Sequence, residues 1–150
     1  MSYIIGMDLT VIDTVASNKL GGIGQTNDGK LYKYVEYIDA TAGVAGEVAY
    51  YATVAIGGVT GTVVTSDLSD SISVGAGVLQ TALTTGTYGW VQVSGVATLS
   101  IALTAGTDGS NLTPVGAGDG TLDLTTAVTD NVCAVALDAS AKVILCKFVF

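Results

Sequence analysis

Residues 88–103, YGWVQVSGVATLSIAL, constrain the fold more than any other stretch of the chain. Valines alternate with polar and glycine positions, which is the two-residue period of a strand and not the 3.6-residue period of a helix. The segment reads as two short strands broken at Gly95. Val91 and Val93 are expected on one face, and Trp90, Gln92 and Ser94 on the other. Trp90 is the single tryptophan.

The remaining chain has the same texture. Ala, Val, Leu and Ile are interleaved with Thr, Ser and 20 glycines, and there is one proline. That mixture suits many short strands joined by tight turns, so the expected fold class is all-β. At 150 residues one core is expected. No uncharged apolar run approaches the ~20 residues of a membrane-spanning helix. Charge is sparse and one-sided: five lysines, no arginine, no histidine and 13 acids, for a net charge of −8. Nucleic acid and anionic lipid both require clustered cations and are not expected as partners. Without arginine or histidine the chain lacks the usual phosphate fork and the usual proton shuttle near neutral pH, so an enzyme is not expected. The opening MSYIIGMDLTVID has no cationic n-region, and Asp8 and Asp13 interrupt it, so it does not read as a signal peptide. Folding in a reducing cytoplasm is expected, and Cys133 and Cys146 do not make a disulfide scaffold.

Two regions follow from the pattern: residues 1–20 and a β domain over residues 21–150. The first contains Tyr3, Ile4, Ile5, Met7, Leu9, Val11 and Ile12 without a turn signal, before Gly21 and Gly22 punctuate. It reads either as a first strand in the domain's own sheet or as an extended arm that adds to a partner's sheet edge. A hairpin follows, residues 23–26 and 30–38 about Asn27-Asp28-Gly29. Neither face of its outgoing strand is wholly apolar, so the ribbon is expected to project. Strands are expected at 47–56, 60–65, 78–83 and 121–124, with polar turn-rich sequence at 66–77. A long loop is expected over 104–120. The closing hairpin pairs 132–137 with 142–148. If Ala139-Ser140 form a two-residue turn, Cys133 opposes Cys146 and Val135 opposes Ile144. Val132, Ala134, Val143 and Leu145 would then share the second face. Both faces are apolar, which implies cover on both sides, one of them from another subunit.

The chemical candidates are weak. Asp67 and Asp70 sit among serines, but their spacing matches no calcium loop. Asp108, Asp119 and Asp123 surround the glycine-rich stretch with no aromatic cleft expected beside them. Gly116–Gly120 lacks the Lys-Ser/Thr and the helix of a phosphate loop. No cofactor or metal is expected. Tyr88 and Trp90, with Tyr50 and Tyr51, are the aromatic candidates for a contact surface.

Three segments carry a resemblance: LGGIGQTNDGKLYKYVEY, TGTYGWVQVSGVATL and NVCAVALDASAKVILCKF. Their order over residues 20–149 is similar to the head-decoration, or cement, proteins of tailed bacteriophages. The resemblance implies a small β-barrel or β-tulip-like domain that forms trimers on the outer surface of the virion capsid. It implies bridging of major capsid protein subunits, synthesis in the host bacterial cytoplasm, and no catalysis. Residues 1–20 would be the capsid-binding arm. Tyr88, Trp90, Val132, Ala134, Val143 and Leu145 are expected at an oligomer interface. A phage tail or fibre component is the alternative. A carbohydrate-binding module with Trp90 and Tyr88 as its platform is a third reading.

Overall fold

The computed structural model describes residues 7–56 and 61–148. Among them there are ten strands, two short 3₁₀ turns and no α-helix. The strands are β1 (Ile23–Gln25), β2 (Leu31–Tyr37), β3 (Val48–Ala52), β4 (Val63–Thr65), β5 (Ser71–Leu79), β6 (Thr87–Thr98), β7 (Asn111–Thr113), β8 (Asp123–Leu124), β9 (Ala134–Asp138) and β10 (Val143–Lys147). They form one mixed sheet. The β2–β4 pair is parallel and every other pair is antiparallel.

β6 organises this sheet. Along one edge it pairs with β2, from Thr87 opposite Tyr37 to Ser94 opposite Leu31. Along the other it pairs first with β5 and then with β10. Pairing therefore runs in a circuit, β2–β4–β3–β5–β6 and back to β2. An extension β6–β10–β9–β7–β8 leaves that circuit.

β6 is one strand of twelve residues and not two. Gly95 lies inside it at φ +97, a conformation that glycine adopts without a Cβ penalty. The ladder bends there and does not stop. The side carboxamide of Gln92 donates to the Ser94 and Val96 carbonyls across the bend. The expected faces hold. Val91 and Val93 enter the main core with Val35, Tyr37, Val48, Leu79, Leu112 and Ile144. Trp90 lies in a second cluster with Tyr32 and Tyr34.

Several boundaries differ from the sequence reading. The β2 ribbon does not project; it is flanked on both edges and largely buried, because its two mixed faces each meet one of the two clusters. β5 begins at Ser71, within the stretch read as turns. β3 ends at Ala52, and a 3₁₀ turn follows. The loop 104–120 contains β7. Residues 7–20 form neither strand nor free arm; they cross the Trp90 face with a single bridge, Asp13 to Tyr88.

The closing hairpin is offset by one residue. Cys146 faces Ala134, Leu145 faces Val135 and Ile144 faces Ala136. Ala139-Ser140 lacks the Gly or Asn that a two-residue turn requires. Instead Ala139–Lys142 make a four-residue turn, with Lys142 at φ +61 and the Asp138 carboxylate accepting from Ala141 N at 2.9 Å. A one-residue slip turns one strand over relative to the other. Ala134 and Ala136 consequently join Ile144 and Cys146 inside, while Val135, Leu137, Val143 and Leu145 face outward.

Candidate functional surfaces

The first surface is built on β2 and β6. Alternation places Tyr32, Tyr34, Tyr88 and Trp90 on one face of adjacent strands. The Tyr34 and Trp90 rings lie 5.2 Å apart at 58°, and Tyr34 and Tyr88 are near parallel at 6.4 Å. Residues 7–20 cover this face as a strap: Met7, Leu9, Val11 and Leu20 pack on the aromatic cluster. Asp13 fastens the strap. Its backbone exchanges two hydrogen bonds with Tyr88, at 3.0 and 2.8 Å. Its carboxylate accepts from the Tyr34 hydroxyl at 2.5 Å and from the Ser17 hydroxyl at 2.5 Å. The Ser17 amide donates to the Tyr34 hydroxyl at 3.1 Å. Burial, and then the bond to Asp13, hold the Tyr34 phenol above its usual pKa.

Trp90 is 0% exposed, so its ring offers no platform to a sugar or to a flat partner surface. Among the described residues its buried indole N–H has no acceptor. Tyr50 and Tyr51 are core residues as well. Ile12 and Val15 are the strap's exposed apolar positions, at 46% and 78%. Tyr3, Ile4 and Ile5 lie outside the described residues.

The second surface is the outward face of β6, β10 and β9. Cross-strand partners share a face, so Val96, Leu145 and Val135 form a transverse row ending at Asn111 on β7. Val143 and Leu137 lie beside the row. Val96 and Leu137 are 43% and 45% exposed. Of the expected interface residues, Val143 and Leu145 are on this face. Ala134 is buried on its inner side, Val132 is exposed before β9, and Tyr88 and Trp90 are under the strap. The six are therefore not brought together. Val135 and Leu137 were missed because the two-residue turn fixed the wrong register, and Val96 because the β6–β10 pairing joins segments far apart in sequence. The absence of Gly or Asn at Ala139-Ser140 was the available signal.

The acids in turns act as caps. Asp67 accepts from the Ser69 hydroxyl and then the Ser69 amide, which holds its carboxyl below the usual range. Asp119 accepts from Leu68 N at 3.0 Å and Asp108 from Ala139 N at 2.9 Å. Among the described residues no group of three or more thiol or carboxylate side chains is placed to hold a metal ion. Lys33 is buried, and its ammonium donates to the Tyr51 hydroxyl at 2.8 Å and to the Gly61 carbonyl at 3.3 Å. Desolvation lowers its pKa.

Comparison of the chain with protein-family models, curated proteins and solved structures finds no match. The functional reading therefore rests on these two surfaces and on the three segments quoted above.

Proposed function

We propose that the protein is a structural component of a tailed-bacteriophage virion, a head-decoration protein that assembles as a homotrimer on the outer capsid surface. It bridges neighbouring major capsid subunits and acts without catalysis. The observation that carries this reading is the outward apolar face of β6, β10 and β9. It lies on strands whose inner side is already filled by Ala134, Ala136, Ile144 and Cys146. A chain that spends Val96, Val135, Leu137 and Leu145 on water gains from association, because burying them removes apolar area from solvent. We read the circuit β2–β4–β3–β5–β6 as the small barrel that the resemblance implies. The acid excess suits the outside of a shell and not its DNA-facing interior.

The shell contact is assigned to the outer side of residues 7–20, where Ile12 and Val15 are exposed. A modest contact of this kind, repeated by a trimer across one joint, gains strength by avidity. The test is co-sedimentation with empty expanded heads that lack the protein. Wild type is expected to saturate the heads, and the double variant Ile12→Asp/Val15→Asp to bind at least tenfold more weakly. Labelled protein found on tails, or absent from heads, would replace this reading.

A further inference from the structure

We infer that the cavity at the bent end of β6 is a binding site for an uncharged, hydroxyl-rich ligand, a single pyranose unit. This goes beyond the assembly reading and does not rest on it. Nor does it involve the Trp90 ring, which is closed to any ligand. The fold builds the walls. β6 pairs with β5 only at Val91 and Gln92, and from Ser94 to Thr98 it pairs with β10 instead. Ala45 and Gly46 bridge the ends of β5 and β6. Gly46 N donates to the Leu79 carbonyl at 2.8 Å, and the Gly46 carbonyl accepts from Ser100 N at 3.0 Å. The space between is about 420 Å³, within the ~300–1,000 Å³ of small-molecule sites. Lys30, Gln80, Gln92 and Thr98 line it, with Val96 and Ala97. Gly95 lets Lys30 in: a Cβ there would stand 2.8 Å from Lys30 Cγ. Backbone hydrogen bonds hold these walls, so a ligand pays little entropy for ordering them.

Gln92 points to the ligand. It is only 4% exposed, and its carboxamide nitrogen donates to the Ser94 carbonyl at 3.2 Å and the Val96 carbonyl at 3.0 Å. Both amide hydrogens are thereby used. Among the described residues nothing donates to its Oε1, and that oxygen is not sealed from solvent, so it opens on the cavity. Gln80 repeats the pattern: its nitrogen donates to the Val78 carbonyl at 2.9 Å, and its Oε1 has no donor among the described residues. The wall therefore presents two carboxamide acceptors, the Thr98 hydroxyl and the Lys30 ammonium. Charge narrows the choice. Among the described residues no carboxylate lines the cavity, so a cation finds no counter-charge. The ammonium is shared with Asp28 at 3.8 Å, and the net charge of −8 opposes an anion. An uncharged ligand remains. Sugar hydroxyls both donate and accept, so adjacent ones can give to Gln80 and Gln92 and take from Lys30 and Thr98. The ring C–H groups then rest on Val96 and Ala97.

The experiment is NMR titration of the ¹⁵N-labelled full chain with the methyl glycosides of glucose, galactose and mannose, with glucuronate, and with N-acetylalanine methylamide. At least one glycoside is expected to shift the Gln80 and Gln92 side-chain amides and the Gly46 backbone amide. The expected dissociation constant is on the order of 1 mM and changes little with added salt. Lys30→Met/Thr98→Val removes two hydrogen-bonding groups from the wall and is expected to weaken binding about tenfold or more. Val128→Asp, at a fully exposed site outside the cavity, is expected to bind as wild type does. Trp90 fluorescence verifies the fold of each variant. Three results overturn the inference. One is the absence of these shifts with every glycoside at about 10 mM. Another is unchanged affinity in the folded double variant. The last is tighter binding of glucuronate, which makes the site anionic in preference, or of the blocked alanine, which makes it a peptide site. Head binding is scored separately and bears only on the decoration reading.

Discussion

Removing the Tyr34 hydroxyl tests how the strap is held. Tyr34→Phe keeps the ring contacts with Trp90 and Tyr88 and deletes the donor to Asp13 together with the contacts to Ser17 N and Ser17 Oγ. A hydrogen bond to a charged group is worth about 1.5–3 kcal/mol. Asp13 is half-buried, so water replaces part of the loss and the low end applies, about 1.5 kcal/mol. Asp13→Ala deletes the same bond together with the Ser17 contact, while the backbone bridge to Tyr88 remains available. The double variant then isolates the shared bond, with a coupling energy of about 1.5 kcal/mol. Urea unfolding followed by Trp90 emission supplies the four free energies. Acrylamide quenching of Trp90 adds a local reading and is expected to rise in both single variants. Additive losses, with coupling under about 0.5 kcal/mol, would refute the clasp.

Five further outcomes are expected. Gly77→Ala places a Cβ 2.8 Å from both the Gln92 carbonyl and Val91, at φ +154, and should cost about 3 kcal/mol in denaturant unfolding. Gly29→Ala, at φ +84 in open space, should cost only about 1 kcal/mol. Tyr50→Phe strips the hydroxyl that bonds the Gly118 and Thr121 carbonyls and the Thr121 amide, and should lower stability by about 2 kcal/mol while speeding exchange of the Thr121 amide. Burial pushes Tyr37, Tyr51 and Cys146 up to about 12, and Tyr50 and Cys133 further up. In the unfolded chain these groups lose protons from about pH 9 upward, while the folded chain retains them. Their stabilisation is therefore complete below pH 9 and is lost as pH rises toward the folded values. The lowered Lys33 works in the opposite sense, its stabilisation growing as pH climbs toward 10. A melting temperature that stays flat from pH 8 to 11 would refute the net fall expected from the raised phenols and thiols, Tyr34 among them, against the one lowered ammonium. Both thiols should also resist a disulfide-exchange reagent until the chain is denatured, because both are buried in the core.

The sequence conveyed local structure well and long-range structure poorly. Alternation along residues 88–94 is a property of neighbours, so the Val91/Val93 face and the Trp90 face were legible. The closing hairpin was legible as a pair of strands, but its register depended on one turn. The parallel β2–β4 pairing joins Glu36 to Val63 and leaves no mark in either segment. It closes the circuit, and with it the burial of β2 that the mixed faces of Tyr32 and Lys33 appeared to deny. The strap was ambiguous for a related reason. Met7, Leu9 and Val11 advertise an apolar face without saying whose tryptophan they cover.

The strand order also bears on how the molecule is put together. β10, tenth along the chain, is the strand wedged between β6 and β9. Strands β1–β6 hold everything needed to close the circuit before it arrives. β7, β8 and β9 can pair with one another but have no ladder to the rest until it slots in. A nascent chain therefore passes through a stage in which the far edge of β6 at Gly95–Thr98 stands open, and a neighbouring copy supplying its own β10 there would yield an exchanged pair.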